Sequence, residues 1–105
     1  MKIEKKGFWY EYRYVPESLA DFKQAVRLLC HSYGCFVTIA GVATSFIIDQ
    51  AEGGFVIAEN VEKKNYWRQS FASLDEMAEK CSHVDGVPLK SLFGRLGIQT
   101  ICDCA

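Results

Sequence analysis

No stretch of this chain approaches the roughly 20 consecutive apolar residues that a membrane-spanning helix needs. Its start, MKIEKKGFWYEYRY, is basic but has no apolar segment behind it, so no secretory leader is expected and the expected location is cytoplasmic. Neither sign of charge is in excess: 12 Lys and Arg face 13 Asp and Glu, a net charge of −1. That balance gives no footprint for nucleic acid or an anionic lipid surface, and no partner of either kind is expected. Lys2, Lys5 and Lys6, and Lys63-Lys64, are too scattered among acids to change this. No Gly-rich phosphate fingerprint opens a helix after a strand, and Gly53-Gly54 does not supply one. Repeats, linkers and low-complexity tracts are missing as well, so residues 1–105 are read as one domain.

Cysteine is present, but in an odd count of five, which does not suit a closed disulfide framework. Without a leader, free thiols in a reducing compartment are expected. The thiols and imidazoles fall as Cys30-His31 with Cys35, as Cys81 with His83, and as Cys102 with Cys104. A structural zinc site wants four such ligands, usually in two close pairs, and none of these spacings is the C-x2-C knuckle. Cys30 and Cys35 sit where a core residue is expected, so buried thiols are favoured over zinc, with no metal and no cofactor. A Cys–His nucleophile would need Cys30 to meet His83, or Cys81 to meet His31, with a third group to orient the pair. No local signature supports either pairing. The acids Asp49, Glu52, Glu59 and Glu62 lie at strand ends and turns, and nothing sets two of them across a cleft for acid–base work.

What the chain does have is apolar strand. Half of its residues are hydrophobic and 24% are charged, an ordinary globular composition. The stretch Cys35 to Asn60, CFVTIAGVATSFIIDQAEGGFVIAEN, reads as three strands broken at Gly41 and at Gly53-Gly54. Alternate strand residues point to opposite faces, and here neither face is polar. Phe36, Thr38 and Ala40 oppose Cys35, Val37 and Ile39; Phe46 and Ile48 oppose Ile47; Phe55 and Ile57 oppose Val56. Upstream, residues 8–15 predict a first strand with the row Phe8, Tyr10, Tyr12, Tyr14 on one side, ended by Pro16. Residues 66–71, YWRQSF, predict a fifth.

Helices are fewer. Residues 17–33 carry the stripe Leu19, Phe22, Val26, Leu29, Tyr33, with Ser18 as cap, Asp21 as a capping-box acid and Gly34 past the end. Ser73 opens a second helix through the box Ser73-Leu74-Asp75-Glu76, and Pro88 opens a short third, PLKSLFGRL. The tail IQTICDCA is either a short strand or coil.

The expected architecture is α+β: an antiparallel sheet of about five strands in β-α-β-β-β-β-α-α order, backed by one long helix with two short C-terminal helices. One helical layer covers one sheet face, yet apolar side chains are supplied to both. The second face is then covered by curling of the sheet, by the C-terminal helices, or by another chain, with a symmetric homodimer favoured. Trp9, Tyr12, Arg13, Trp67 and Arg68 are the candidate contact residues, because aromatic and Arg side chains concentrate at interfaces. The favoured function is a non-catalytic protein-binding module of inhibitor, immunity or adaptor type. The alternative is a small enzyme or ligand-binding domain with a Cys- or His-containing pocket between sheet and helices.

Overall fold

The computed structural model of the protein describes residues 2–6, 11–30, 34–51, 53–61 and 64–100, with the side chains of 4–6, 11, 12 and 100 outside that description. Its elements run β1 (Lys2–Lys6), β2 (Glu11–Val15), α1 (Leu19–Leu29), β3 (Cys35–Ile39), β4 (Phe46–Ala51), β5 (Gly54–Glu59), β6 (Arg68–Phe71), α2 (Leu74–Lys80), a 3₁₀ turn (Leu89–Leu92) and β7 (Leu96–Thr100). The fold is α+β, with one antiparallel sheet of seven strands in the order β1-β2-β7-β3-β4-β5-β6.

The strand count exceeds the five expected, for identifiable reasons. β1, KIEKK, has a single apolar residue and lies at the sheet edge, where lysines deter pairing with other chains. The first residues of the tail, 98–100, belong to a strand, β7, and it is central: Val37 of β3 pairs with Ile98 on one side, and Tyr14 of β2 pairs with Ile98 on the other. Gly97 weakens the strand signal there, since an interior glycine packs nothing. The predicted 8–15 strand is described as β2 from Glu11 onward. The predicted third helix is only the 3₁₀ turn.

α1 begins as its sequence implies. Ser18 Oγ accepts from the Asp21 amide at 3.1 Å, and the Asp21 carboxylate reaches back to the Glu17 amide at 3.1 Å. α2 repeats the device: Ser73 Oγ accepts from Glu76 N–H and Glu76 accepts from Ala72 N–H, both at 3.1 Å. α1 ends at Leu29 rather than at 33, with Cys30 already extended at ψ 97°. Gly34 therefore serves the strand entry instead of the helix end. Its φ is +82°, and a β-carbon there would meet the Ile48 carbonyl oxygen at 2.5 Å.

The core lies on one side of the sheet. Cys35, Val37 and Ile39 of β3, Phe46 and Ile48 of β4, Ile57 of β5, Phe71 of β6, and Leu96 and Ile98 of β7 form one buried cluster. Phe22, Ala25 and Val26 of α1, Leu74, Met77 and Ala78 of α2, and Leu89 and Leu92 complete it. The C-terminal elements thus join α1 on the same face and do not wrap to the other. The opposite face carries Arg13, Val15, Phe36, Thr38, Ile47, Val56, Ala58, Gly97 and Gln99 by strand alternation. Its larger apolar side chains Phe36, Ile47 and Val56 are half-buried.

Candidate partner-binding surface

Among the described residues, the most exposed Phe, Tyr or Trp side chain, Tyr66, lies where the β5–β6 connection meets the loop after α2. Glu59 ends β5 and holds Trp67 twice: its amide donates to the Trp67 carbonyl, and its carboxylate accepts from the Trp67 amide, both at 2.9 Å. The indole is half-buried against the core edge. It stacks face to face on His83, with ring centres 3.9 Å apart and planes at 6°. Phe46 meets both rings edge-on at 6.1 Å. Offset-stacked and edge-to-face contacts are the preferred geometries of aromatic rings.

His83 is held by its loop. Cys81 and Val84 are buried anchors on either side of it, and Leu89 N–H donates to the Cys81 carbonyl at 2.9 Å, closing the loop. Val87 N–H donates to the Val84 carbonyl at 3.3 Å. The ion pair Lys90–Glu79, at 2.9 Å, ties the 3₁₀ turn to α2. Burial pushes the Cys81 thiol above its ordinary pKa, so it stays protonated. Tyr66 and Val87 stand exposed in the same two connections, with Tyr66 at 42%. Of the five large hydrophobic side chains exposed among the described residues, Val61, Tyr66 and Val87 lie in these two connections.

The sequence-derived contact residues do not gather in one place. Trp67 and Arg68 are here, with Trp67 facing the helices and Arg68, paired with Ala58, facing the other way. Arg13 lies on β2, toward the far edge of the sheet, and is only 7% exposed. Its Nε donates to Thr38 Oγ1, and its Nη2 to the carbonyls of Thr38 and Arg95, each at 2.9 Å. Those bonds make it a brace within the chain. The Tyr12 backbone pairs with Lys5, while its side chain and the whole of Trp9 lie outside the described residues. The same is true of His31, Cys102 and Cys104.

The sequence offers His83 as a metal-ligand, nucleophile-pair or pocket residue, not as an aromatic partner. Its stacking on Trp67 could not be read there, because the two rings come from different elements and meet through tertiary packing alone. Cys35 is buried as expected, whereas Cys30, expected buried, is half-buried at the end of α1. Two surface clefts are formed by described residues. One, of about 460 Å³, follows the outer side of α1 past Leu19, Lys23, Arg27 and Leu28. The other, of about 250 Å³, lies between Gly53, Phe55 and Phe71 at the sheet edge. Cys30, Cys81 and His83 line neither. No group of three or more metal-binding side chains gathers among the described residues, and no described helix is long and apolar enough to cross a membrane. No protein-family model matches the chain, nor does any curated protein or solved structure.

Proposed function

We propose that this protein is a non-catalytic protein-binding module of inhibitor, immunity or adaptor type, and that it grips its partner with the surface around Trp67 and His83. The observation that carries the reading is the mounting of Trp67. Its backbone is clamped by Glu59 and its ring by His83 and Phe46, while Tyr66 before it and Val87 in the adjoining loop remain open to solvent. A rigid aromatic anchor loses little entropy on binding, and Trp, Tyr and Arg are the residue types that dominate interface energetics. β6 beside it is the outermost strand of the sheet, so backbone donors and acceptors are offered next to the anchor.

The partner is another protein, and a second copy of this chain is its simplest form, since two β6 edges can pair antiparallel about a two-fold axis. Light scattering at micromolar concentration tests this form. A mass near twice the 11.9 kDa chain, falling to the single chain in Tyr66→Glu, is expected. A single-chain mass for the parent removes the homodimer. The broader reading is tested by a photocrosslinking residue at position 66 in cells expressing the protein. One defined crosslinked species, lost in Trp67→Ala, is expected; a smear unaffected by that substitution overturns the surface.

A further inference from the structure

Two of the described thiols converge on one residue of β4, Ile48. Cys30 sits at the C-terminal cap of α1 and is half-buried; Cys35 opens β3 and is fully buried. Cys30 Sγ donates to the Ile48 carbonyl at 3.7 Å, and Ile48 is the β4 residue directly opposite Cys35. The same stretch of β4 backbone therefore fixes both sulfurs, and neither is spent in a disulfide. The third described thiol, Cys81, lies apart in the loop after α2.

The two thiols are unequal. The interaction with Cys35 holds the Cys30 thiol below its ordinary pKa, with burial and Asp49 opposing. The interaction with Cys30, then burial, pushes Cys35 far above it. The nucleophile is the thiolate, so the outer, more acidic sulfur is the one that attacks, and the inner one stands behind it.

We propose that Cys30 and Cys35 form a reversible oxidation site, at which a hydroperoxide converts the adjacent thiols into an intramolecular disulfide. The Cys30 thiolate attacks one peroxide oxygen; an S–O bond forms, the O–O bond breaks, and the departing hydroxide takes up the Cys30 proton as water. Cys35 sulfur then attacks the Cys30 sulfenic sulfur; the S–S bond forms, the S–O bond breaks, and the second hydroxide leaves as water with the Cys35 proton. Two thiols lose two electrons and two protons in all, and one hydrogen peroxide becomes two waters. A monothiol such as glutathione reverses the change by attack at the outer sulfur of Cys30; a second glutathione then releases the oxidised glutathione dimer. Oxidation also removes the proton that Cys30 gives to Ile48, so the contact between the end of α1 and β4 is lost with it.

The test uses the full chain, reduced, desalted and exposed to hydrogen peroxide. It is then denatured with N-ethylmaleimide, digested with trypsin and weighed. The peptide holding both Cys30 and Cys35 is expected to be two hydrogens lighter and unalkylated, with Cys81 alkylated, and dithiothreitol is expected to restore two alkylation sites. In Cys35→Ser, Cys30 is expected to stop at the sulfenic acid and carry a dimedone adduct. Should that variant not fold, the parent's peptide mass decides alone. Full alkylation of Cys30 and Cys35 after peroxide, conversion of Cys30 to sulfinic acid without a link, or a link from Cys30 to Cys102 or Cys104 overturns the proposal.

Discussion

Arg13 crosses the second face of the sheet directly over Gly97, so closely that a β-carbon on residue 97 would overlap the arginine's Nε and Cγ. The guanidinium then reaches past β7 to Thr38 on β3 and to the Arg95 carbonyl. One long side chain from β2 thus bolts three neighbouring strands together, and the missing side chain of Gly97 is what lets it pass.

Gly97→Ala is expected to destabilise the fold by about 1–3 kcal/mol, the range for overpacking. Arg13→Ala is expected to cost about as much, since it takes the charged donor from the carbonyls of Thr38 and Arg95 and from the Thr38 hydroxyl. The two effects are not independent. In the Arg13→Ala background the extra methyl has room, so Gly97→Ala is expected to cost much less. A double-mutant cycle by urea denaturation checks this; strict additivity would show that the arginine does not lie over the glycine.

The helix stripe of α1 is graded in depth. Phe22 has no exposed surface and stacks on Phe93 with ring centres 5.3 Å apart, whereas Leu29 is half-buried at the cluster's edge. Phe22→Ala is expected to lose about 3–5 kcal/mol and Leu29→Ala about 1–2 kcal/mol. Denaturant melts that rank them in the reverse order would place the stripe in a different orientation.

Aromatic packing at the proposed contact surface has an optical readout. The stacked Trp67–His83 pair, with Phe46 at their edges, fixes an indole in an asymmetric setting. His83→Ala is expected to cost about 0.5–1.5 kcal/mol and to weaken the near-ultraviolet circular dichroism of the indole while leaving the far-ultraviolet spectrum unchanged. A near-ultraviolet spectrum identical to the parent's would mean that the rings are not stacked in solution.

Alkaline pH should weaken the fold through Cys81. Burial raises its folded pKa above the unfolded thiol value of about 8.5, so the folded state keeps a proton that the unfolded chain gives up. Its contribution is complete below that unfolded value and is lost as pH rises beyond it, by at most about 1.4 kcal/mol per pH unit. Cys30, held low, acts in the opposite sense, so the comparison must isolate Cys81. Urea melts at pH 7 and pH 9.5 with a phosphine reductant are expected to show a smaller pH loss in Cys81→Ala than in the parent. Equal losses would mean that Cys81 ionises freely in the folded state.

Local chemistry was legible in the sequence, and long-range chemistry was not. Ser18 with Asp21 and Ser73 with Glu76 mark both helix starts because a cap acts within a few residues. The β3–β6 meander follows from the apolar runs broken at Gly41 and Gly53-Gly54 and from the polar segment 61–65 before the last strand. β7 was obscured by Gly97, whose reason is a side chain on β2 far away in the chain. Arg13 was legible as an interface candidate, but its place across the second sheet face, almost fully buried, depends on Gly97 and Thr38 from distant strands. Trp67 was visible as an aromatic candidate, but its stacking partner His83 arrives only through tertiary packing.

The place of β7 sets a condition on the order of synthesis. β1 and β2 form one hairpin and β3 to β6 another ribbon, and in the sheet only β7 joins them. Until the ribosome has delivered residues 96–100, β2 and β3 each present a bare pairing edge, and the β3 edge carries Val37 and Ile39. A nascent chain halted before Leu96 is thus two half-sheets with adhesive flanks, the kind of intermediate that chaperones shield.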